Sequence, residues 1–186
     1  MAKKILIALL VLCMTFSLAS CMSEESSSDY TKGSVTDNVY VNEWANIKFV
    51  LDDTTWKQGS ASDYQSYEND TTDCGLIAGL ATEGRQLAIA FETNPAGLVS
   101  EETYLTNVKT GMTSASTGYT FGEFYNKTIA GKQYLGVDAT LTQNGVSVYQ
   151  AFYTTRHDGK FISIVVTSIT DRNEISSVLD KITTVE

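Results

Sequence analysis

Histidine, cysteine and positive charge are all scarce in this sequence. It carries one histidine, His157, and three cysteines in 186 residues. His157 lies in Arg156-His157-Asp158-Gly159, a tight-turn pattern, so it is badly placed to complete a Ser-His-Asp set. It is expected to face solvent there rather than act as a base or a ligand. Cys13 and Cys21 fall near the N-terminus, which leaves Cys74 without a partner for an internal disulfide. Cys74 abuts Gly75-Leu76-Ile77, an apolar strand, and reads as a buried, inert thiol. No H-E-x-x-H, CxxC or glycine-rich phosphate loop occurs, and no metal or cofactor is expected. Lys and Arg number 13 against 22 Asp and Glu, a net charge of −9. That balance argues against a nucleic-acid partner, whose phosphates demand a basic patch.

Long apolar runs are missing as well: nothing approaches the ~20 residues of a membrane helix. The longest, Ile5 to Phe16, has the length of a signal's apolar region and follows the basic Met1-Ala2-Lys3-Lys4. Leu18-Ala19-Ser20-Cys21 comes next. Together these segments resemble the bacterial lipoprotein signal, whose lipobox reads Leu, Ala or Ser, a small residue, then Cys. An ordinary secretory signal ending in Ala19-Ser20, with Cys21 incidental, is the alternative. The resemblance implies cleavage after Ser20, a diacylglyceryl group on Cys21 Sγ, and lipid anchoring on the extracytoplasmic face of the cell membrane. Two acyl chains suffice for stable anchoring, at about 0.8 kcal/mol per buried CH₂. Loss of Lys3 and Lys4 with the leader takes the net charge from −9 to −11, which leaves no polybasic hold on anionic lipid.

The expected organisation is a signal over 1–20, a disordered tether over 21–38 and a single α+β domain over 39–186. Met22 to Asn38 is rich in Ser and acid and has little to pack. Ile47 to Leu51 reads as a strand, with Trp56 packed on the sheet edge. Residues 57–73 read as a polar loop or short irregular helix. Leu76 to Thr82 and Arg85 to Thr93 form a hairpin about Glu83-Gly84. Ser100 caps a helix that ends by Gly118, with Glu101 and Glu102 in its first turn and Leu105, Val108 and Met112 on its buried face. Strands follow at Tyr119 to Ile129, Gln133 to Thr142, Val146 to Thr155 and Lys160 to Ser168, turning at Ala130-Gly131, Asn144-Gly145 and Asp158-Gly159. The last is apolar at both parities, so it is central and covered on both faces. A closing helix starts from Asp171, with Glu174 completing a capping box and Ile175, Val178, Leu179 and Ile182 buried. The fold class is therefore α+β, a mostly antiparallel sheet (hairpin plus C-terminal meander) flanked by two helices on opposite faces.

Asn46-Ile47-Lys48-Phe49-Val50-Leu51 followed by Trp56 resembles the opening of PsbP-like domains. The helix, long meander and closing helix are similar too. The resemblance covers 39–186 and rests on element order. Asp52-Asp53-Thr54-Thr55 stands where the family has a proline before the tryptophan. It implies an α/β/α sandwich and relatives that are mostly non-enzymatic assembly factors.

Site candidates are few. Asp52, Asp53, Asp63, Glu68, Asp70 and Asp73 could supply calcium oxygens, but their spacing is not that of an EF-hand, and a solvated loop is the expectation. Aromatics are plentiful, with ten Tyr and seven Phe. Tyr64, Tyr67, Tyr119, Phe124, Tyr125, Tyr149 and Tyr153 lie in or near the sheet and the 57–73 loop, and tyrosine suits interfaces. Tyr64, Tyr67, Asp70 and Asp73 are the binding candidates, with Cys21 as the lipid attachment point. Two readings follow. One is an accessory module, anchored to the membrane through Cys21, that recognises a protein or small ligand without catalysis. The other is a cell-envelope hydrolase or metal-dependent enzyme using the domain's acids.

Overall fold

The computed structural model describes residues 29–52, 56–80, 84–94, 97–116, 118–143 and 145–185. The signal region, Cys21, the first part of the expected tether, Asp53 and the turn residues Glu83 and Asn144 lie outside the described residues.

Two antiparallel sheets build the domain. The larger contains β4 (Lys57–Gln58), β5 (Thr72–Leu80), β6 (Arg85–Thr93), β7 (Tyr119–Phe121), β8 (Tyr125–Ile129), β9 (Lys132–Gln143), β10 (Val146–His157) and β11 (Lys160–Ser168). Their spatial order is β4-β5-β6-β11-β10-β9-β7, with β8 also paired to β9. The meander therefore returns to place β11 beside β6, and every residue from Phe161 to Ser168 is buried. The expected central strand is confirmed. Two of its hairpins turn on residues with positive φ, Ala130-Gly131 (46° and 74°) and Asp158-Gly159 (41° and 76°), the geometry that matches strand twist.

The smaller sheet has the order β1-β2-β3-β12, from β1 (Ser34–Thr36), β2 (Val39–Asn42), β3 (Ile47–Val50) and β12 (Ile182–Thr183). Its first hairpin corrects the expected domain boundary. Asp37 and Asn38, at φ 50° and 61°, turn β1 into β2 inside the segment expected to be tether. Tyr30 packs edge-on against Trp44 and Phe91, at 5.0 and 5.9 Å between ring centres. Gly75 permits this docking: a Cβ there would meet the Tyr40 hydroxyl at 2.4 Å and the Phe91 ring at 2.7 Å.

Three helices cover the sheets: α1 (Ala61–Gln65), α2 (Glu101–Ala115) and α3 (Glu174–Leu179). Ser100 Oγ accepts the Thr103 N–H at 3.1 Å, and Leu105, Val108 and Met112 are buried, as the helical period predicts. They pack with Ala88, Ala90, Val137, Phe152 and Val165 on one face of the large sheet. The opposite face packs Leu76, Ile89, Ile162 and Ile164 against Phe49, Trp56, Ile175, Val178 and Leu179. So α2 and α3 do lie on opposite faces. Trp56 directly precedes the edge strand β4 and is buried there, 2% exposed and edge-on to Phe49 at 5.3 Å.

The closing helix is shorter than expected. Ile182 leaves it and pairs with Phe49 as part of β12, which buries it in the same core by another backbone route. The capping box does not form either. Asn173 is the N-cap without a side-chain bond, Asp171 Oδ1 accepts the Asn173 N–H at 2.8 Å, and Glu174 turns to the Thr170 hydroxyl and Arg85. The expected strand over 119–129 is broken at Gly122 to Phe124. Gly122 N–H donates to Asp138 O at 2.9 Å, and the interruption bulges this sheet edge.

Candidate functional site

The four binding candidates divide between the two faces. Tyr67 is 3% exposed and packs beside Cys74 and Ile77 under the α2 face. Tyr64, on α1, is half-buried against the same cluster, and its hydroxyl accepts from the Ile77 N–H at 3.2 Å and from Gln58 at 3.2 Å. Asp73 belongs with the other face: its carboxylate accepts from the Tyr30 hydroxyl at 2.7 Å and lies 3.5 Å from Lys160 Nζ. Lys160 in turn sits 4.2 Å from the centre of the Tyr30 ring. Asp70 is exposed in the loop between them.

The neighbouring acids serve separate contacts. Asp63 closes the capping box of α1 with Ser60, and Glu68 pairs with Lys32. Among the described residues no three metal-ligating side chains converge. Glu68 and Asp73 thus fasten the N-terminal segment to the sheet. That explains why residues 29–38 fold although their composition reads as a tether.

Cys74 is fully buried and its thiol is pushed up to about 12 by desolvation, which makes it inert. His157 is not a free turn residue. It ends β10, half-buried, with Nε2 3.0 Å from the Trp44 carbonyl and its ring 4.5 Å from the Trp44 ring. Tyr119 bonds to Gln150 at 3.1 Å, and Tyr125 bonds to Asp138 at 2.7 Å and Tyr153 at 2.8 Å, so these aromatics serve the sheet itself.

The concave feature lies elsewhere, at the start of α2. A cleft of about 350 Å³ is lined by Glu101, Glu102, Asn126, Gln133, Tyr134, Leu135, Thr154 and Thr155. Strand register explains the gathering. Thr154 stands opposite Leu135, and Leu135 opposite Asn126, so three adjacent strands present these side chains to the α2 face. Gln133 donates to Thr128 Oγ1 at 2.9 Å, and Arg156 pairs with Glu101 at 3.0 Å. Thr154 Oγ1 is fully buried and has no hydrogen-bond partner among the described residues. An unpaired buried hydroxyl costs about 1–3 kcal/mol, and with no exposure this one lies beneath the surface of the cleft.

Behind the cleft, a polar chain ties α2 to the sheet. The Tyr104 hydroxyl donates to Glu92 Oε1 and accepts from Ser163 Oγ at 3.0 Å, while its ring lies 4.6 Å from that of Phe161. Glu92 is 8% exposed, and burial pushes its carboxyl up to about 7, with the Tyr104 bond opposing the rise. Tyr104 is one helical turn after Glu101, so this chain fixes the turn that carries Glu101 and Glu102. Sequence reasoning missed this group, although one signal was present. In Arg85 to Thr93, Glu92 shares its parity with Ala88 and Ala90 while Leu87, Ile89 and Phe91 hold the other, so it falls on a strand that is apolar on both sides.

An antiparallel sheet with α2 on one face and a small sheet plus α3 on the other defines an α+β, PsbP-like fold. The solution structure of cyanobacterial PsbP (CyanoP) from Synechocystis matches with a TM-score of 0.57 at 14% identity, over 90% of this chain and 99% of that one. LpqN, described as involved in cell envelope biogenesis of Mycobacterium tuberculosis, matches with a TM-score of 0.45 at 13% identity, over 75% of this chain and 83% of that one. At such identity the likeness is one of fold, and fold does not carry function. No protein-family model matches the sequence, and no curated protein matches it.

Proposed function

We propose that this chain is a lipid-anchored, extracytoplasmic accessory module that binds a ligand without transforming it. The anchor rests on the Leu18-Ala19-Ser20-Cys21 lipobox. The binding role rests on one observation, the open cleft of polar side chains that three strands and the start of α2 bring together. The rest of the wall is built for contact rather than chemistry. Glu101 is held by Arg156, and the one carboxyl with a pKa near neutrality, Glu92, stands behind Tyr104 and outside the lining. A general acid must reach the proton it transfers, and Glu92 does not reach the cleft.

Two experiments test this. In the native host, Cys21→Ala is expected to release the protein to the medium or leave it unprocessed, read by fractionation and mass. Persistent processing with membrane retention would show the anchor reading to be wrong. Separately, envelope glycans and peptides are incubated with the purified chain. Turnover of any of them, abolished by Glu101→Gln or Glu102→Gln, would replace the binding reading with the hydrolase.

A further inference from the structure

We propose that Glu92, Tyr104 and Ser163 form a pH-sensitive latch that fastens the start of α2 to the large sheet and releases it when Glu92 ionises. The inference concerns α2 and stands apart from the binding reading above, although the turn it frees carries Glu101 and Glu102. Its geometry is a chain across the helix–sheet interface. The Tyr104 hydroxyl, on α2, donates to Glu92 on β6 and accepts from Ser163 on β11. Leu105, Val108 and Met112 bury the helix further along, so its first turn rests on this chain and on the more exposed pair of Arg156 with Glu101. Packing beside the chain is incomplete. A void of about 10 Å³, the size of one water, lies between α2 and the sheet, with Tyr104, Leu105, Val108, Phe152 and Ser163 in its lining.

Glu92 is poorly answered as an anion. Register places Thr72 of β5 and Phe161 of β11 beside it, and Arg156 of β10 beyond Phe161. Arg156 is bonded to Glu101, and Cys74 and Tyr67 on the same face are buried among apolar side chains. Tyr104 supplies the one hydrogen bond that Glu92 receives among the described residues. A buried carboxylate with a single donor costs free energy that a hydrated one does not. Burial accordingly raises the closed carboxyl from 4.5 to about 7. Closed α2 therefore keeps a proton that opened α2 gives up. The latch is firm below about pH 4.5, weakens as pH rises, and is fully loosened above about pH 7. Between pH 5 and pH 8 the opened fraction grows about fiftyfold.

The test is amide hydrogen exchange of the full chain in detergent micelles at pH 5 and pH 8, with each rate taken relative to the unfolded peptide at that pH. Protection at Tyr104, Leu105 and Val108 is expected to fall about fiftyfold and to stay below that of Ile164 and Val166 on β11 at both pH values. Low urea should leave the α2 opening unchanged, because a local opening exposes little surface. Glu92→Gln cannot ionise and is expected to hold α2 protection equal at the two pH values. Tyr104→Phe removes the donor and is expected to keep the fall while lowering protection at both. In the natural chain, the shifts of the Glu92 carboxyl carbon and the Tyr104 amide are expected to share one titration midpoint at about 7, a readout that needs no variant. A Glu92 midpoint in the ordinary carboxylate range overturns the inference, as does a fall that persists in Glu92→Gln. One common protection for α2 and β11 at each pH also overturns it, since α2 would then open only with the whole fold.

Discussion

Glu92 is the one carboxylate below a tenth exposure among the described residues, and its position has a measurable consequence. Its carboxyl rises from the ordinary 4.5 to about 7 in the folded chain, so the native state holds its proton where the unfolded chain has released it. A raised pKa stabilises fully below about pH 4.5 and is lost as pH climbs through about 7. At 1.36 kcal/mol per pKa unit the loss is on the order of 3 kcal/mol. The urea midpoint is therefore expected to be higher at pH 5 than at pH 8. Glu92→Gln should flatten that dependence and exceed the natural chain in stability at pH 8. Parallel losses in the two proteins would place the dependence on other groups.

At the scale of elements, the segment ahead of the N-terminal hairpin adds two polar contacts, Tyr30 with Asp73 and Lys32 with Glu68, to the burial of Tyr40 and the packing of Tyr30 on Trp44 and Phe91. Asp73→Ala removes one acceptor and leaves Tyr30 without it. Amide exchange at Val35 and Tyr40 should quicken, with a global cost of about 1 kcal/mol. Equal loss of protection across β5 and β6 would show that the hairpin is no separate unit. How legible these elements were follows from their length and period. The α2 stripe could be read because 15 residues repeat one pattern and a serine caps them. The β1–β2 hairpin could not, because strands of three and four residues show no period, although Asp37-Asn38 is a turn pair. Ile182 misled because helix and strand bury it in the same core, and only its pairing with Phe49 decides between them. The site was the least legible part. Thr154 and Leu135 meet through register, and no sequence pattern reports that a hydroxyl lacks a partner.

For the whole molecule, the described fold reaches back at least to Tyr30, ahead of the expected start at Val39, and eight residues lie between Tyr30 and Cys21. Eight residues span at most about 30 Å, the upper bound on the reach between Tyr30 and the lipid proposed on Cys21. The proposed binding role takes the cleft as its site, and beneath the cleft Thr154 keeps a hydroxyl with no partner among the described residues. Thr154→Val tests this central claim most directly, since valine keeps the shape and removes the oxygen. Unfolding by urea, without ligand, is the measurement. The variant is expected to be as stable as the natural chain or more so, by up to about 1 kcal/mol, because nothing among the described residues bonds that hydroxyl. A variant destabilised by more than about 1 kcal/mol would contradict it, by showing that the Thr154 oxygen already has its partner within the fold.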